Sequence, residues 1–200
     1  MTAAGAAVTH DTSSMVDEFG VLAFPTFLSP DECESLRNYA TTADTQPSMV
    51  GQRDGQSVLK EDFRKGSFTL LGDHEPLILD RLWSVAREVE HQYGVSLSTI
   101  DRPKLLVYRE GDFFRTHRDR TEGTAHKEIQ GRLVSAVMFL DGEDSFGGGE
   151  LVFYRTDSGR ILSESVVIEA GLMVTFPADV VHEVTPVERG VRRTIATWYR

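Results

Sequence analysis

The sequence predicts a mainly β domain, a sandwich or jelly roll, with helices on its N-terminal side. The sequence pattern changes at Pro103: from there to the C-terminus, short apolar runs are separated by Gly, Pro and Asp. About eight strands at this spacing are typical of a sandwich or jelly roll. Both segments with helical apolar periodicity lie earlier in the chain. We therefore expect a strand-rich core over residues 104–199 and a helical supporting layer over residues 18–103.

Two helices are predicted in the supporting layer. Residues 29–32, SPDE, place Ser at the N-cap, Pro at the first helical position and Glu at the third, which is a capping box. This helix is expected to continue to about Ala43. A second helix is expected over residues 75–93, ended by Gly94. The apolar positions that indicate the two buried faces are Cys33, Leu36 and Ala40 in the first helix, and Leu79, Leu82, Trp83, Ala86 and Val89 in the second.

Length and composition predict a single cytoplasmic domain. The chain has 200 residues, of which 40% are hydrophobic and 26% charged. No apolar run approaches the roughly 18 to 20 residues that a membrane helix needs. Residues 1–17 lack the basic region and long apolar core of a secretory signal, so we expect a disordered tail before one domain over residues 18–200. The single cysteine, Cys33, excludes an internal disulfide and a cysteine metal site.

The segment 108–119, YREGDFFRTHRD, carries the strongest chemical signal. It contains His117 and Asp119, and residues i and i+2 of an extended strand point to the same face. His182, in FPADVVHEVTPV, is the candidate third ligand. Two histidines and one carboxylate on one face of a metal are typical of non-haem Fe(II) oxygenases. An HxD pair also arises by chance in a chain with six histidines, so the pair alone does not decide between these readings.

Charge argues against one class of partner and for another. The net charge of -10 opposes binding to nucleic acid, which depends on Lys and Arg replacing counterions. Several arginines nevertheless lie near the HxD segment and His182 in sequence, which suits a small anionic ligand in one cleft. Solvated surface charge is the alternative for some of them. These residues are Arg115, Arg118, Arg120, Arg192 and Arg193.

The polar stretch 44–60 is longer than an ordinary connection between two elements. It is rich in Gln, Ser, Gly and Asp and lacks any apolar periodicity. Two interpretations remain open, a disordered loop and a lid that covers an active site. We expect residues 44–60 and residues 120–130 to supply the contacts to a substrate.

Four segments stand in a fixed order along the second half of the chain. They are residues 108–119, residues 132–141 (RLVSAVMFLD), residues 148–151 (GGEL) and residues 171–199 (GLMVTFPADVVHEVTPVERGVRRTIATWY). Together they resemble the 2-oxoglutarate- and Fe(II)-dependent dioxygenases, in their prolyl 4-hydroxylase-like branch. The resemblance covers roughly residues 104–199 and implies a double-stranded β-helix, the cupin-like form of the jelly roll.

The resemblance also implies a cofactor and two co-substrates. Fe(II) would be held by His117, Asp119 and His182, with positions left for 2-oxoglutarate and O2. The far carboxylate of 2-oxoglutarate would pair with Arg192, since Arg binds a carboxylate through two parallel hydrogen bonds. Tyr108 would add a hydroxyl donor to the same carboxylate, and a plain core tyrosine is the alternative for it.

Strand alternation separates Arg192 from its neighbour Arg193. Side chains of successive strand residues point to opposite faces, so only one of the two arginines can point into the barrel. We expect it to be Arg192, with Arg193 on the opposite face, and a surface ion pair is the alternative for Arg192. Trp198 would form barrel core with one side on the pocket. The residues predicted to share the inner face are Arg192, Thr194, Ala196 and Trp198.

The implied reaction is O2-dependent hydroxylation of an unactivated C–H bond. The compact chain has no recognisable peptide-binding module, which favours a free amino acid or another small metabolite as substrate. A peptidyl-prolyl hydroxylase is the alternative within the same reaction class. A nucleic-acid dealkylase is disfavoured by the net acidity. A non-catalytic cupin-like binding protein is expected to lack a ligand or the inner arginine, and the sequence has both.

Overall fold

The computed structural model describes residues 19–51, 56–123, 125 and 127–200. The predicted tail over residues 1–17 lies outside this part of the chain. The helices are α1 (Pro30–Thr42), α2 (Glu75–Ser84), α3 (Ala86–Tyr93) and α4 (Lys127–Gln130), with single 3-10 turns at Gly72–His74 and Glu143–Ser145. The strands are β1 (Leu22–Phe24), β2 (Gln46–Pro47), β3 (Val50–Gly51), β4 (Ser57–Val58), β5 (Arg64–Lys65), β6 (Ser67–Leu70), β7 (Lys104–Arg109), β8 (Phe113–His117), β9 (Val134–Phe139), β10 (Phe146–Gly148), β11 (Leu151–Asp157), β12 (Arg160–Ser165), β13 (Met173–Pro177), β14 (Val181–Val184) and β15 (Val187–Tyr199).

The strands form two main antiparallel sheets, as the predicted jelly roll requires. The major sheet has the order β1-β13-β9-β15-β7-β6-β2, and β10 also pairs with β15. The minor sheet has the order β12-β11-β14-β8-β5. Strands β3 and β4 form a separate two-stranded ribbon. The long final strand β15 pairs with β7 on one side and β9 on the other, so it is a central strand of the major sheet.

The pleat of the major sheet sorts its side chains into two cores. On β7, Leu105 and Val107 join the cluster that packs under the helices, whereas Leu106 and Tyr108 join the cluster between the sheets. The inner cluster also includes Phe153 of the minor sheet. This alternation follows from the period of two along a strand. The helices are therefore scaffold on the outer face, and the space between the sheets is left for the site.

Helix α1 forms as its capping residues predict. The hydroxyl Oγ of Ser29 accepts from the Glu32 N–H at 3.2 Å, and the Glu32 carboxylate accepts from the Ser29 N–H at 2.8 Å. The predicted inner face of Cys33, Leu36 and Ala40 is buried. This prediction is confirmed in both its start and its buried face.

The second predicted helix is in fact two. Val85 has φ -105° and ψ 1°, which is not helical, and it separates α2 from α3. Trp83, predicted on the buried face, is 44% exposed. It directly follows the buried Leu82, and a helix turns about 100° per residue, so Trp83 lies at the edge of the face that Leu82 buries. The residues that do form the buried face are Ile78, Leu82, Ala86 and Val89, and Gly94 ends α3 in the left-handed conformation as predicted.

The supporting layer is more than helical, because it also contributes strands to both sheets. Near the start of the described chain, β1 pairs with β13 of the major sheet. The apolar segment 63–71 divides at Gly66 into β5, which joins β8 of the minor sheet, and β6, which joins β7 of the major sheet. A single apolar run could not reveal this division, since periodicity does not say which sheet a strand joins.

The predicted lid, residues 44–60, contains β2, β3 and β4. Residues 52–55, at its centre, lie outside the described part, as do residues 124 and 126 of the second predicted substrate loop. That the stretch acts as a lid stays a prediction. Among the helices that the structure describes, none has the length and apolar character to span a membrane.

Candidate metal centre and co-substrate pocket

A cavity of about 820 Å³ opens between the two sheets. One wall comes from β7 and β15 of the major sheet, and the other comes from β8 and β14 of the minor sheet. The predicted site residues all line this cavity: Tyr108, His117, Asp119, His182, Arg192 and Trp198. The structure thus brings together residues from β7, β14, β15 and the end of β8.

The three predicted metal ligands converge. His117 is the last residue of β8 and pairs across the sheet with His182 of β14. Asp119 lies in the bend after β8 rather than in the strand, which differs from the sequence prediction. Its two carboxylate oxygens are 3.6 Å from the Nε2 of His117 and 3.5 Å from the Nε2 of His182. One ligand atom from each residue lies within 4.8 Å of the others, a group that can hold a metal ion.

Both histidines are oriented by their own backbone. The Nδ1 of His117 is 2.8 Å from the carbonyl oxygen of Arg115, and the Nδ1 of His182 is 2.9 Å from that of Val180. A ring nitrogen that faces a carbonyl must donate, so Nδ1 carries the proton in each ring. The Nε2 lone pairs are left free to bind a metal, and such hydrogen bonds are a usual support of metal-binding histidines.

Asp119 is held by two residues that the sequence analysis did not select. The hydroxyl of Ser135, on β9, donates to Oδ2 of Asp119 at 2.7 Å. The Nη1 of Arg132 donates to the Asp119 backbone carbonyl at 3.4 Å. A lone hydroxyl within the apolar run LVSAVMF was the available signal for Ser135. It was not used because a strand alone does not show which residue its inner face meets.

The protonation states suit a metal site. Burial, followed by the charge of His117, lowers the pKa of His182 to about 4. Burial acts to raise the pKa of Asp119, but His182, His117 and Arg132 together hold it well below its usual range. At neutral pH the His182 imidazole is therefore neutral and the Asp119 carboxylate ionised. These are the forms in which the two side chains bind metals.

Aromatic rings fix the positions of both imidazoles. The ring of Phe114 stacks on that of His117, with centroids 3.5 Å apart and planes at 18°. The ring of Phe176 meets that of His182 edge to face at 4.8 Å. Two nitrogen ligands and one carboxylate, held rigidly with the cavity on their open side, match the donor set that non-haem Fe(II) prefers. The residues present therefore fit Fe(II).

Arg192 is a buried cation with unused hydrogen-bond donors. Only 1% of its surface is exposed, and its Nη1 donates to the Thr194 hydroxyl at 3.4 Å. In the part of the chain that the structure describes, its Nε and Nη2 have no hydrogen-bond partner. Burial lowers the pKa of Arg192 to about 10. Such donors are rarely left unpaired in a core, and a carboxylate from a ligand would satisfy both.

The neighbouring arginine takes the opposite role. The Nη1 of Arg193 lies 3.1 and 3.2 Å from the two carboxylate oxygens of Asp141. The backbone N–H of Arg193 donates to the same carboxylate at 2.8 Å. The prediction that Arg192, and not Arg193, points into the barrel is confirmed. Tyr108 is the cross-strand neighbour of Arg192 and is 1% exposed. Trp198 lies beneath the guanidinium of Arg132, whose Cζ is 3.4 Å from the ring centroid.

Gly149 makes room for the Arg192 side chain. A Cβ on Gly149 would lie 3.0 Å from Cδ of Arg192 and 3.0 Å from Cγ2 of Val187. Its φ of +63° is also in the left-handed region that favours glycine. The GGEL segment thus serves the arginine pocket, since a larger residue would press on the guanidinium side chain.

Residues 103–200 match the model of a family described as the 2OG-Fe(II) oxygenase superfamily. A PKHD-type hydroxylase of Xanthomonas axonopodis pv. citri is 30% identical over 186 residues, which cover 89% of this chain and 77% of that protein. The chain belongs to the 2OG-Fe(II) oxygenase superfamily. The cofactor of the superfamily is Fe(II) and its co-substrate is 2-oxoglutarate, and the cavity offers a fitting set of residues for each.

Other relatives agree with this membership. A PKHD-type hydroxylase of Pseudomonas putida (strain W619) is 32% identical over 123 residues, 60% of this chain. The chain spans about half of that relative, 51%. The crystal structure of a Pseudomonas putida prolyl-4-hydroxylase superimposes with a TM-score of 0.67 over 94% of this chain and 96% of that chain, at 22% identity. The predicted resemblance and the predicted double-stranded β-helix are both confirmed.

Proposed function

We propose that this oxygenase hydroxylates an unactivated C–H bond of a free amino acid or another small metabolite, using Fe(II), 2-oxoglutarate and O2. The observation that carries the proposal is the placement of the His117, Asp119 and His182 group in the same cavity as the unpaired guanidinium of Arg192. The two features serve different ends of one co-substrate. A binding protein without turnover would need neither.

Each side chain has a separate task in this reading. His117 and His182 bind Fe(II) through Nε2 and Asp119 binds it through its carboxylate. Arg192 donates Nε–H and Nη2–H to the far carboxylate of 2-oxoglutarate, with Tyr108 beside it. When bound, Fe(II) and 2-oxoglutarate activate O2 for C–H oxidation and yield succinate and CO2.

The protein also keeps water away from the reacting atoms. A closed apolar wall strengthens the electrostatic contacts inside a site and prevents side reactions. Part of the cavity wall is apolar. The aliphatic residues of this wall are Leu106, Val137, Leu151, Val181 and Val184.

The size of the cavity supports a small substrate. Its volume of about 820 Å³ falls among small-molecule sites, which are roughly 300 to 1,000 Å³. Because 2-oxoglutarate takes part of that space, the remainder suits a compact molecule such as an amino acid.

A peptidyl-prolyl hydroxylase is the second candidate, and two observations favour it. One is the printed name of the similar solved structure, a prolyl-4-hydroxylase. The other is the cavity rim, where Met49 is 42% exposed beside the β3–β4 ribbon. An exposed apolar residue at the rim offers a contact for a peptide on either side of the reacting residue.

The test is succinate release from the protein reconstituted with Fe(II) and supplied with 2-oxoglutarate and air. We expect release without added substrate to be slow and a member of a free amino acid and metabolite panel to accelerate it. Acceleration by proline-containing peptides alone would select the second candidate. Iron binding without any succinate, compared with the Asp119→Ala variant as a blank, would identify a binding protein and contradict both enzymatic readings.

A further inference from the structure

Lys104 lies on the inner face of a barrel strand. It is the first residue of β7, and residues 104, 106 and 108 of that strand all line the cavity. Lysine is seldom placed in such a position unless a partner neutralises it. Its ammonium lies 5.1 Å from the centroid of the Phe68 ring, and it forms no ion pair with any carboxylate of the described residues. The known chemistry of the site gives this charge no role.

Two arginines face the same part of the cavity. The Cζ of Arg64 lies 4.3 Å from the centroid of the Phe114 ring, and its Nε is buried without a partner in the described chain. Arg132 lies above the ring of Trp198. Burial is the main cause that lowers the pKa of Lys104, and the positive charges of Arg132 and Arg64 add to it. We call these three residues, Arg64, Lys104 and Arg132, the rim cluster.

The rim cluster is not fully neutralised by nearby acids. Asp101 pairs with Arg132 at 3.2 Å, but it also pairs with Arg200 at 2.8 Å. Glu128, an exposed residue of α4, lines the same cavity and opposes the charge of Lys104 from the rim. Because Arg200 also draws on the charge of Asp101, Asp101 and Glu128 do not balance the three cations of the rim cluster. Asp119 also favours the charge of Arg132, but its carboxylate belongs to the metal group. A carboxylate from a bound molecule would add negative charge at this place.

The rim cluster and Arg192 lie at opposite ends of the cavity. Tyr108 is the cross-strand partner of Arg192, and Lys104 is the partner of Ala196. Four residues along β7 correspond to about 13 Å. A diacid as short as 2-oxoglutarate cannot occupy both ends. An anion held at the rim cluster must therefore belong to another molecule.

We propose that the rim cluster binds a carboxylate of the substrate and so selects acidic substrates for this oxygenase. The proposal rests on the proposed function, because it assigns the substrate of the same site. The guanidinium groups of Arg64 and Arg132 lie over aromatic rings and can donate to one carboxylate, and Lys104 supplies a third donor. The carboxylate can belong to a free amino acid or to an acidic peptide, and the test separates these two sources.

The experiment measures binding rather than turnover. The protein is loaded with Fe(II) and 2-oxoglutarate under anaerobic conditions and titrated calorimetrically with N-acetyl amino acids and with their matching amides. The amides have the same size without the charge. We expect each acid to bind at least about ten-fold more tightly than its amide. A second arm compares proline peptides that carry Asp with the same peptides carrying Asn, and a preference for Asp only there would identify a peptide as the source.

Variants of Lys104 link the preference to the rim cluster. Lys104→Met keeps the packing on Phe68 and removes the charge, so we expect about ten-fold weaker binding of the acid with little change for the amide. Lys104→Arg should restore the preference, and Arg87→Gln on the exposed face of α3 serves as a charge-matched control. Without any probe, Lys104→Met should raise the Tm by about 2 to 4 °C, because a half-buried charge without an ion pair among the described residues is removed.

Three results would overturn the proposal. They are equal binding of acid and amide, no binding of any acid, and an equal loss of both in Lys104→Met. The outcome is separable from the proposed function. Acid binding that depends on Lys104, in a protein that never forms succinate, would retain the anion site and reject the reaction. Succinate formation with neutral substrates alone would retain the reaction and reject the anion site.

Discussion

The two faces of the major sheet treat buried polar groups in opposite ways. On the outer face the groups are paired: Arg193 binds Asp141, and the Tyr199 hydroxyl donates to the Leu82 carbonyl at 2.8 Å. On the inner face, Nε and Nη2 of Arg192 and the buried Nε1 of Trp198 have no hydrogen-bond partner among the residues that the structure describes. Polar groups on the outer face hold the helical layer in place. Those on the inner face remain available for ligands, and this difference separates structural from functional residues on a single strand.

Loss of a metal ligand should give the largest difference in effect between a substitution on the inner face and one on the outer face. Asp119→Ala removes the only carboxylate among the three grouped residues, so we expect bound iron and iron-dependent succinate release to fall by more than about 100-fold. The fold should be kept, since the variant removes a buried charge. Asp141→Ala on the outer face should lower the Tm and leave iron binding intact. Near-native activity of Asp119→Ala at saturating iron would show that Asp119 is not a ligand.

The adjacent arginines allow the same comparison within one strand. Arg192→Met should raise the 2-oxoglutarate concentration needed for half-maximal turnover by more than ten-fold, since losing a buried charged pair costs about 2 to 5 kcal/mol. Its Tm should be unchanged or higher, because the long hydrogen bond to Thr194 is a small loss beside the removal of a buried cation that forms no ion pair in the described chain. Arg193→Met should lower the Tm with little effect on 2-oxoglutarate. The opposite order of effects would mean that the faces are assigned wrongly.

Ser135 tests the support of the metal ligand. Ser135→Ala removes the hydrogen bond to Asp119 and should weaken iron affinity by about 10-fold, within the range seen for such supporting groups. Tyr93→Phe is the outer-face counterpart, because its hydroxyl donates to the Thr175 carbonyl at 2.6 Å. It should destabilise the protein by about 1 kcal/mol without changing iron affinity. Equal iron titrations for Ser135→Ala and the parent protein would remove Ser135 from the site.

The smallest effect is expected at Gly149. Gly149→Ala should raise the 2-oxoglutarate requirement by about three-fold to ten-fold, because its Cβ presses on Arg192. Gly159→Ala is the matched control: its φ is +80°, and a Cβ there meets nothing within 4 Å. Both variants share the strain of a left-handed backbone, so both should lower stability, and Gly149→Ala should lower it more because of the crowding. If Gly159→Ala changes the 2-oxoglutarate requirement equally, backbone strain and not crowding is the cause.

Sequence patterns identified the site better than the scaffold around it. Period-two alternation is enough to place Arg192 inside and Arg193 outside, and the ordered motifs bring His182 to the HxD segment. The rim cluster was not predicted because Lys104, Arg64 and Arg132 lie in three different parts of the fold, and their proximity depends on tertiary packing. Trp83 was misplaced because it directly follows Leu82, and the apolar pattern does not show which of two adjacent apolar residues faces the core.

The continuous pairing of β7 with β15 gives the cavity a fixed length. Both ends of the cavity stand on the same two hydrogen-bonded strands, with Tyr108 opposite Arg192 and Lys104 opposite Ala196. No hinge lies between them, so this wall cannot stretch to suit a longer molecule. A one-residue insertion in either strand would turn the inner side chains outward, whereas two residues would preserve the faces and add about 7 Å. Evolution of a new substrate length along this wall should therefore proceed in steps of two residues.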